Sequence, residues 1–162
     1  MMEKKLAAAL NEQINHELFS AYLYLSMAAW SETRNLPGFA HWLSLQAKEE
    51  VGHAMKIFGF LVDRGERVVL DAIKKPETDF ESPRDVFART LEHEKKVTAL
   101  INRLYDLSGK VNDQAAAIFL QWFVTEQVEE EKNASSILET LKMLKPDSSA
   151  IFMLDHQLAK RE

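Results

Sequence analysis

Glu50 and His53 stand in the stretch Gln46-Ala47-Lys48-Glu49-Glu50-Val51-Gly52-His53. They lie on a line of positions, Phe39, Leu43, Gln46, Glu50, His53, Ile57 and Phe60, that advances by alternating steps of four and three. Such a line is the seam of an amphipathic helix facing a core. Where Leu or Ile is expected, a carboxylate and an imidazole occur instead. Residues i and i+3 project from one helix face. A Glu-x-x-His pair turned into a helix bundle is the ligand arrangement of dinuclear metal sites bridged by carboxylates.

Three other seams are broken in the same way. Leu10, Ile14, Glu17, Ala21, Tyr24 and Ala28 form one, interrupted by Glu17. Phe87, Thr90, Glu94, Val97, Ile101 and Leu104 form another, interrupted by Glu94. The last reads Ala116, Leu120, Phe123, Gln127, Glu130, Ala134, Ile137, Leu141 and Leu144, with Gln127 and Glu130 out of place. An internal repeat relates them: shifted by 77 residues, Glu17 becomes Glu94, Glu49 becomes Glu126, Glu50 becomes Gln127 and His53 becomes Glu130. Two copies of a helical hairpin, each giving its polar set at the same offset from the turn, bring all six side chains to mid-height.

Electrostatics then decides what the six can be. Moving one carboxylate into a low-dielectric interior costs an idealised ~20 kcal/mol and still several in practice. Four together exceed a domain's whole stability of roughly 5–15 kcal/mol. No Lys or Arg shares the seams with Glu17, Glu50, Glu94 and Glu130. Protons or external cations must neutralise them, and two divalent ions balance four carboxylates, with His53 and Gln127 as neutral ligands. Oxygen donors with one imidazole suit iron, manganese or zinc and argue against Cu(I). Glu50, central in the set, is the expected bridge between two metals about 3.5–4 Å apart.

The elements that position these residues are legible from breakers and caps. The first helix is expected over about 2–31, ended by Asn35-Leu36-Pro37-Gly38, and the second over about 38–64, ended near Gly65. Gly65 to Glu81 carries no helical period. Extended, it spans roughly 55 Å, more than the ~40 Å of the second helix. It can therefore cross the whole bundle and start the third helix parallel to the second. Ser82-Pro83-Arg84-Asp85 reads as a helix start. The third helix then runs to about Ser108 with Gly109 as its C-cap, and Asn112 or Asp113 caps the fourth. A short fifth helix, about 148–159, carries Ile151, Phe152, Leu154 and Leu158. It is too short to stand alone and must dock. Tyr24 and Trp122 are expected to pack; His16, His41, His93 and His156 are expected at the surface.

Composition sets the class. The 162 residues make a single domain, 1–162, with 46% hydrophobic and 28% charged residues and few Gly and Pro. No cysteine is present, which excludes disulfides and metal-thiolate centres. A net charge of −5 without a basic run argues against nucleic acid. Neither a secretory h-region nor an apolar run long enough for a membrane span occurs, so the cytoplasm is the expected compartment.

On Glu17, the Glu49-Glu50-x-x-His53 set, Glu94 and the run Leu120-Gln121-Trp122-Phe123-Val124-Thr125-Glu126-Gln127-Val128-Glu129-Glu130-Glu131, the chain resembles the bacterial non-haem ferritins over essentially its whole length. The resemblance implies an all-α, ferritin-like four-helix bundle with one long crossover and a short fifth helix. It further implies a ferroxidase centre holding two iron ions per subunit, the first by Glu17, Glu50 and His53 and the second by Glu50, Glu94 and Glu130, with Gln127 close by. The family's third iron site corresponds to Glu49, Glu126, Glu129 and Glu130, and its tyrosine beside the centre to Tyr24. Fe(II) would be oxidised by dioxygen or hydrogen peroxide and stored as a ferric mineral in a 24-subunit cage. In that cage the Val68–Leu70 strip would pair with a twofold neighbour, and the fifth helix would line a fourfold axis. Bacterioferritin-like chains carry a second Glu-x-x-His where this chain has Gln127-x-x-Glu130, and a haem-ligating Met where it has Val51, so no haem is expected. Rubrerythrin-like electron transfer needs cysteines, and Dps-like proteins build their site between subunits rather than within one bundle. A passive metal buffer and a purely structural shell share this fold; aerobic addition of Fe(II) separates them from an oxidising enzyme.

Overall fold

A computed structural model describes residues 1–162. Five helices account for the fold: α1 Lys4–Thr33, α2 Pro37–Asp63, α3 Pro83–Lys110, α4 Gln114–Met143 and α5 Ala150–Leu158. Each end has a local cause. The side chain of Glu3 caps α1 by accepting from the amides of Lys5 and Leu6, Ser82 caps α3 through the amide of Asp85, and Asp113 caps α4 through that of Ala116. Pro37 and Pro83 sit in the first turn, where a missing N–H costs nothing. The first three helices all stop the same way. Asn35, Gly65 and Asn112 adopt left-handed backbone (φ 57°, 74° and 56°). The next residue's amide then reaches back to the carbonyl of Ser31, Leu61 or Ser108, respectively. Gly109, expected as the cap of α3, lies inside the helix instead. Asn112 takes the turn position because its side chain tolerates the left-handed region.

The link after α2 runs the length of the bundle along α1. Asn11 bonds the backbone of Arg67 and Val69, Asn15 that of Ala72, and Ser26 that of Glu77. Arg64, at the end of α2, forms a bidentate pair with Asp113 at the start of α4 (3.0 and 2.9 Å). Both observations put the C-terminal ends of α2 and α3 at one pole, so these helices are parallel, as the length of the link anticipated.

The core comes in two blocks. One, of 19 buried residues, includes Met27, Phe39, Leu43, Phe87 and Leu141; the other, of 13, includes Leu10, Ile14, Ile57, Ile101 and Leu120. The polar residues that interrupt the seams lie between them. Toward the helix ends the seams drift by one residue: Leu61 rather than Phe60 is buried in α2, and Leu138 rather than Ile137 in α4. A 3.6-residue turn walks off a strict four-and-three pattern in this way.

α5 docks on the start of α2, burying Leu154 and Leu158 while Phe152 stays exposed. Leu36 offers α2 no side-chain cap, and Asp155 of α5 supplies it by accepting the Phe39 amide at 2.9 Å. The approach is so close that a Cβ on Gly38 would lie 1.7 Å from the Asp155 carbonyl oxygen. No helix is long and apolar enough to cross a membrane. Gly38→Ala should therefore displace α5 and lower stability by about 1–3 kcal/mol. Thermal unfolding and limited proteolysis would report it as a lower Tm and faster cleavage after Met143. Unchanged protection of α5 would contradict the docking.

Candidate metal centre

The six residues that break the seams are all withdrawn from water: Glu17 is 1% exposed, Glu50 and Glu94 2%, Gln127 and Glu130 4%, and His53 5%. A solvated acidic face is thereby ruled out. The side chains converge as the helix offsets require. Ligand atoms of Glu17, Glu50 and His53 lie within 4.8 Å of one another, and so do those of Glu50, Glu94 and Glu130. Glu50 is common to both triads, the position of a bridge. His53 Nδ1 is 3.2 Å from Glu50 Oε2 and 3.9 Å from Glu17 Oε2.

Neutral donors hold the carboxylates in place. Gln13 donates to Glu17 (2.9 Å), and Gln46 donates to Glu130 (2.5 Å) and Glu50 (3.3 Å). Gln127 donates to Glu94 Oε2 (3.1 Å) and to the Glu94 carbonyl (3.2 Å), and the Tyr24 hydroxyl donates to the other Glu94 oxygen. Tyr24 is fully buried, as its seam position anticipated. Glu17 Oε2 is buried without any hydrogen-bond partner. A buried carboxylate oxygen left without a partner, beside an imidazole and a second carboxylate, is one that a proton or a cation would satisfy.

Burial and mutual repulsion shift the titration of the set upward. Burial, then the charge of Glu50, raises Glu17 well above the usual carboxylate range; burial, then Glu94 and Glu130, does the same for Glu50. Glu94 is raised by burial, and Glu130 by burial and Glu94 to about 8. Burial and the neighbouring Glu94 also push the Tyr24 phenol up, so it stays protonated and able to donate. The cluster therefore favours protons or cations near neutral pH.

The flanking acids behave differently from one another. Glu126 Oε1 comes to 3.9 Å from His53 Nε2 and, with Glu130, makes a third candidate group. Glu49 instead pairs with Arg161 (2.7 Å), and Glu129 is exposed without a partner. Two expectations fail locally. His93 is not a surface residue: it bonds Ser20 at 2.7 Å beneath the α1–α3 groove, and burial, with Lys96 and His16, lowers its pKa to about 4. Trp122 is 39% exposed rather than core, with its ring edge on His53 (5.4 Å) and Lys56 above its face (4.3 Å). Sequence reasoning gives Gln127 a role but assigns none to Gln13, Gln46 or Arg161. Gln13 precedes Glu17, and Gln46 precedes Glu50, by four residues, a signal available in the spacing. Nothing local in the sequence marks Arg161.

Comparison with known proteins agrees with this geometry. The Ferritin model, a ferritin-like domain, matches residues 7–144. The chain is 39% identical to a bacterial non-heme ferritin of Staphylococcus epidermidis, covering 99% of this chain and 97% of that one. It is likewise 39% identical to one of Bacteroides fragilis, over 99% and 100%. An open pore ferritin from the archaeon Archaeoglobus fulgidus superposes with a TM-score of 0.99 at 43% identity over the full length of both chains. With family match, near-complete coverage and fold in agreement, this chain belongs to the ferritin family.

Proposed function

We propose that this iron-storage protein takes up Fe(II) as substrate at the buried carboxylate layer, oxidises it there and passes Fe(III) on for storage as a mineral. The observation that carries the reading is Glu50, shared by two ligand triads in a layer drawn from all four long helices. One Fe(II) would be held by Glu17, Glu50 and His53, and a second by Glu50, Glu94 and Glu130, with Gln127 beside the second. Each ion gives up one electron, and dioxygen or hydrogen peroxide accepts the pair. Hard anionic oxygens stabilise the trivalent product more than the divalent substrate, which drives the oxidation. Tyr24 acts on this account by holding Glu94 in place. A third iron ion would sit at Glu126 and Glu130 with Glu49 and Glu129, once Glu49 is freed from Arg161.

Assembly into a homo-oligomer, a 24-subunit cage of the family's kind, is supported by apolar surface that a monomer leaves uncovered. Val51, Met55 and Val62 on α2, Tyr22 and Leu25 on α1, and Val69, Leu70 and Ile73 on the link are all exposed. Gly52 and Gly59 line the same α2 stripe with open space beyond them; they allow another helix to approach closely, which accounts for glycines that otherwise weaken a helix. At −5 per chain, such a cage carries on the order of −120, which attracts Fe²⁺. We place the protein in the cytoplasm, with no nucleic acid or membrane partner.

Glu50→Ala and His53→Ala should each slow aerobic ferric absorbance growth by about 10- to 100-fold while assembly size stays unchanged. Normal rates in both variants would remove the centre from the reaction, and zinc uptake without iron oxidation in the unmodified protein would favour a passive buffer.

A second expectation concerns pH. The four glutamates have folded pKa values above the unfolded ~4.3, so between about pH 4.5 and 8 the folded state binds more protons than the unfolded chain. Stability of the metal-free protein must then fall as pH rises through this window. Unfolding temperatures measured in chelator should decline from pH 5 to pH 8, and divalent ions should reverse the trend. A rise across the same window without metal would contradict it.

A further inference from the structure

Arg161 lies three residues beyond α5 yet reaches the edge of the metal centre. Its Nη1 donates to Gln46 Oε1 (3.0 Å) and to the Trp42 carbonyl (3.2 Å), and its Nη2 to Glu49 Oε2 (2.7 Å). The guanidinium lies over the Trp42 ring, 4.5 Å from its centroid, and the Arg161 carbonyl meets His41 Nε2 at 2.7 Å. Its side chain is only 19% exposed, against 48% for Glu49. A stacked, forked cation in this setting is a fixed charge rather than a loose surface pair.

Two consequences follow for the centre. Because Gln46 Oε1 is taken by Arg161, the amide must present Nε2 to Glu130 and Glu50, as it does. And because Glu49 already has a positive partner, an ion arriving at Glu126 and Glu130 finds that carboxylate occupied. We propose that the Arg161 guanidinium fills the cation position at Glu49 and holds down the affinity of the third, outer ion site, so that a third divalent ion binds by displacing it. Arg161 is on this account a positioning residue, and α5, docked through Asp155 and Gly38, is what brings it there. The inference rests on the two-ion reading of the centre given above.

Zn(II), which undergoes no oxidation, separates the guard from the centre itself by titration calorimetry on the assembled protein. The unmodified protein should take two ions per subunit tightly and a third weakly. In Arg161→Gln the third step should tighten about tenfold, the factor released when a charge-assisted hydrogen bond no longer has to be broken. Arg161→Lys, which keeps the charge but loses the fork and the stacking, should tighten the third step clearly less than Arg161→Gln does, a partial rescue that loss of packing alone would not give. Glu49→Gln should weaken the third step and leave the first two. If Arg161→Gln binds the third ion no more tightly than the unmodified protein, Arg161 does not guard the site. If the unmodified protein fails to take the first two ions, the dinuclear centre itself is wrong and the guard falls with it.

Discussion

Four carboxylates buried between two apolar blocks set the terms for the rest of this structure. Glu17, Glu50, Glu94 and Glu130 are each at most 4% exposed; His53 is the one imidazole beside them, and Arg161 reaches them only through a glutamine. A layer of this kind costs stability wherever its charge is not balanced. The apolar blocks above and below it supply the burial that keeps the bundle folded, and the proposed chemistry is confined to the layer. Separation of the two along the helix axis lets each be strong without disturbing the other.

Every device in the fold can be related to keeping that layer level. Three helices end in the same left-handed turn, which fixes the hairpin heights. The crossover is tied along α1 by Asn11, Asn15 and Ser26, so α3 starts at the pole where α2 starts and Glu94 arrives opposite Glu50. Gln13, Gln46, Gln127 and Tyr24 then aim individual oxygens while adding no charge. Neutral donors are suited to this because they orient a carboxylate without competing electrostatically for the place of an incoming cation.

Much of this is legible in the sequence because it is periodic. Polar residues at core positions stand out against a four-and-three pattern, and the 77-residue repeat makes them recur at matching heights. All six converge as that spacing requires. Contacts between elements remote in sequence are not legible in the same way. Arg161 meets Glu49 across 112 residues, and Asp155 caps α2 across 116; no local pattern encodes either. His93 and Trp122 depart from expectation for a related reason. Both lie at the margin of a seam, where a helix that drifts by a fraction of a turn decides burial. Gly109 loses its expected cap position to Asn112, since both residue types tolerate the turn and the helix runs two residues further, to Lys110.

On the proposed reading, the metal-free layer holds protons that divalent ions displace. Anaerobic Fe(II) calorimetry near pH 7, repeated in buffers of different ionisation enthalpy, reads that exchange directly. Binding should saturate its tight phase at two ions per subunit with a net release of protons to the buffer. Tight binding with no proton release, or with a single ion per subunit, would contradict a dry layer of four carboxylates neutralised by a metal pair.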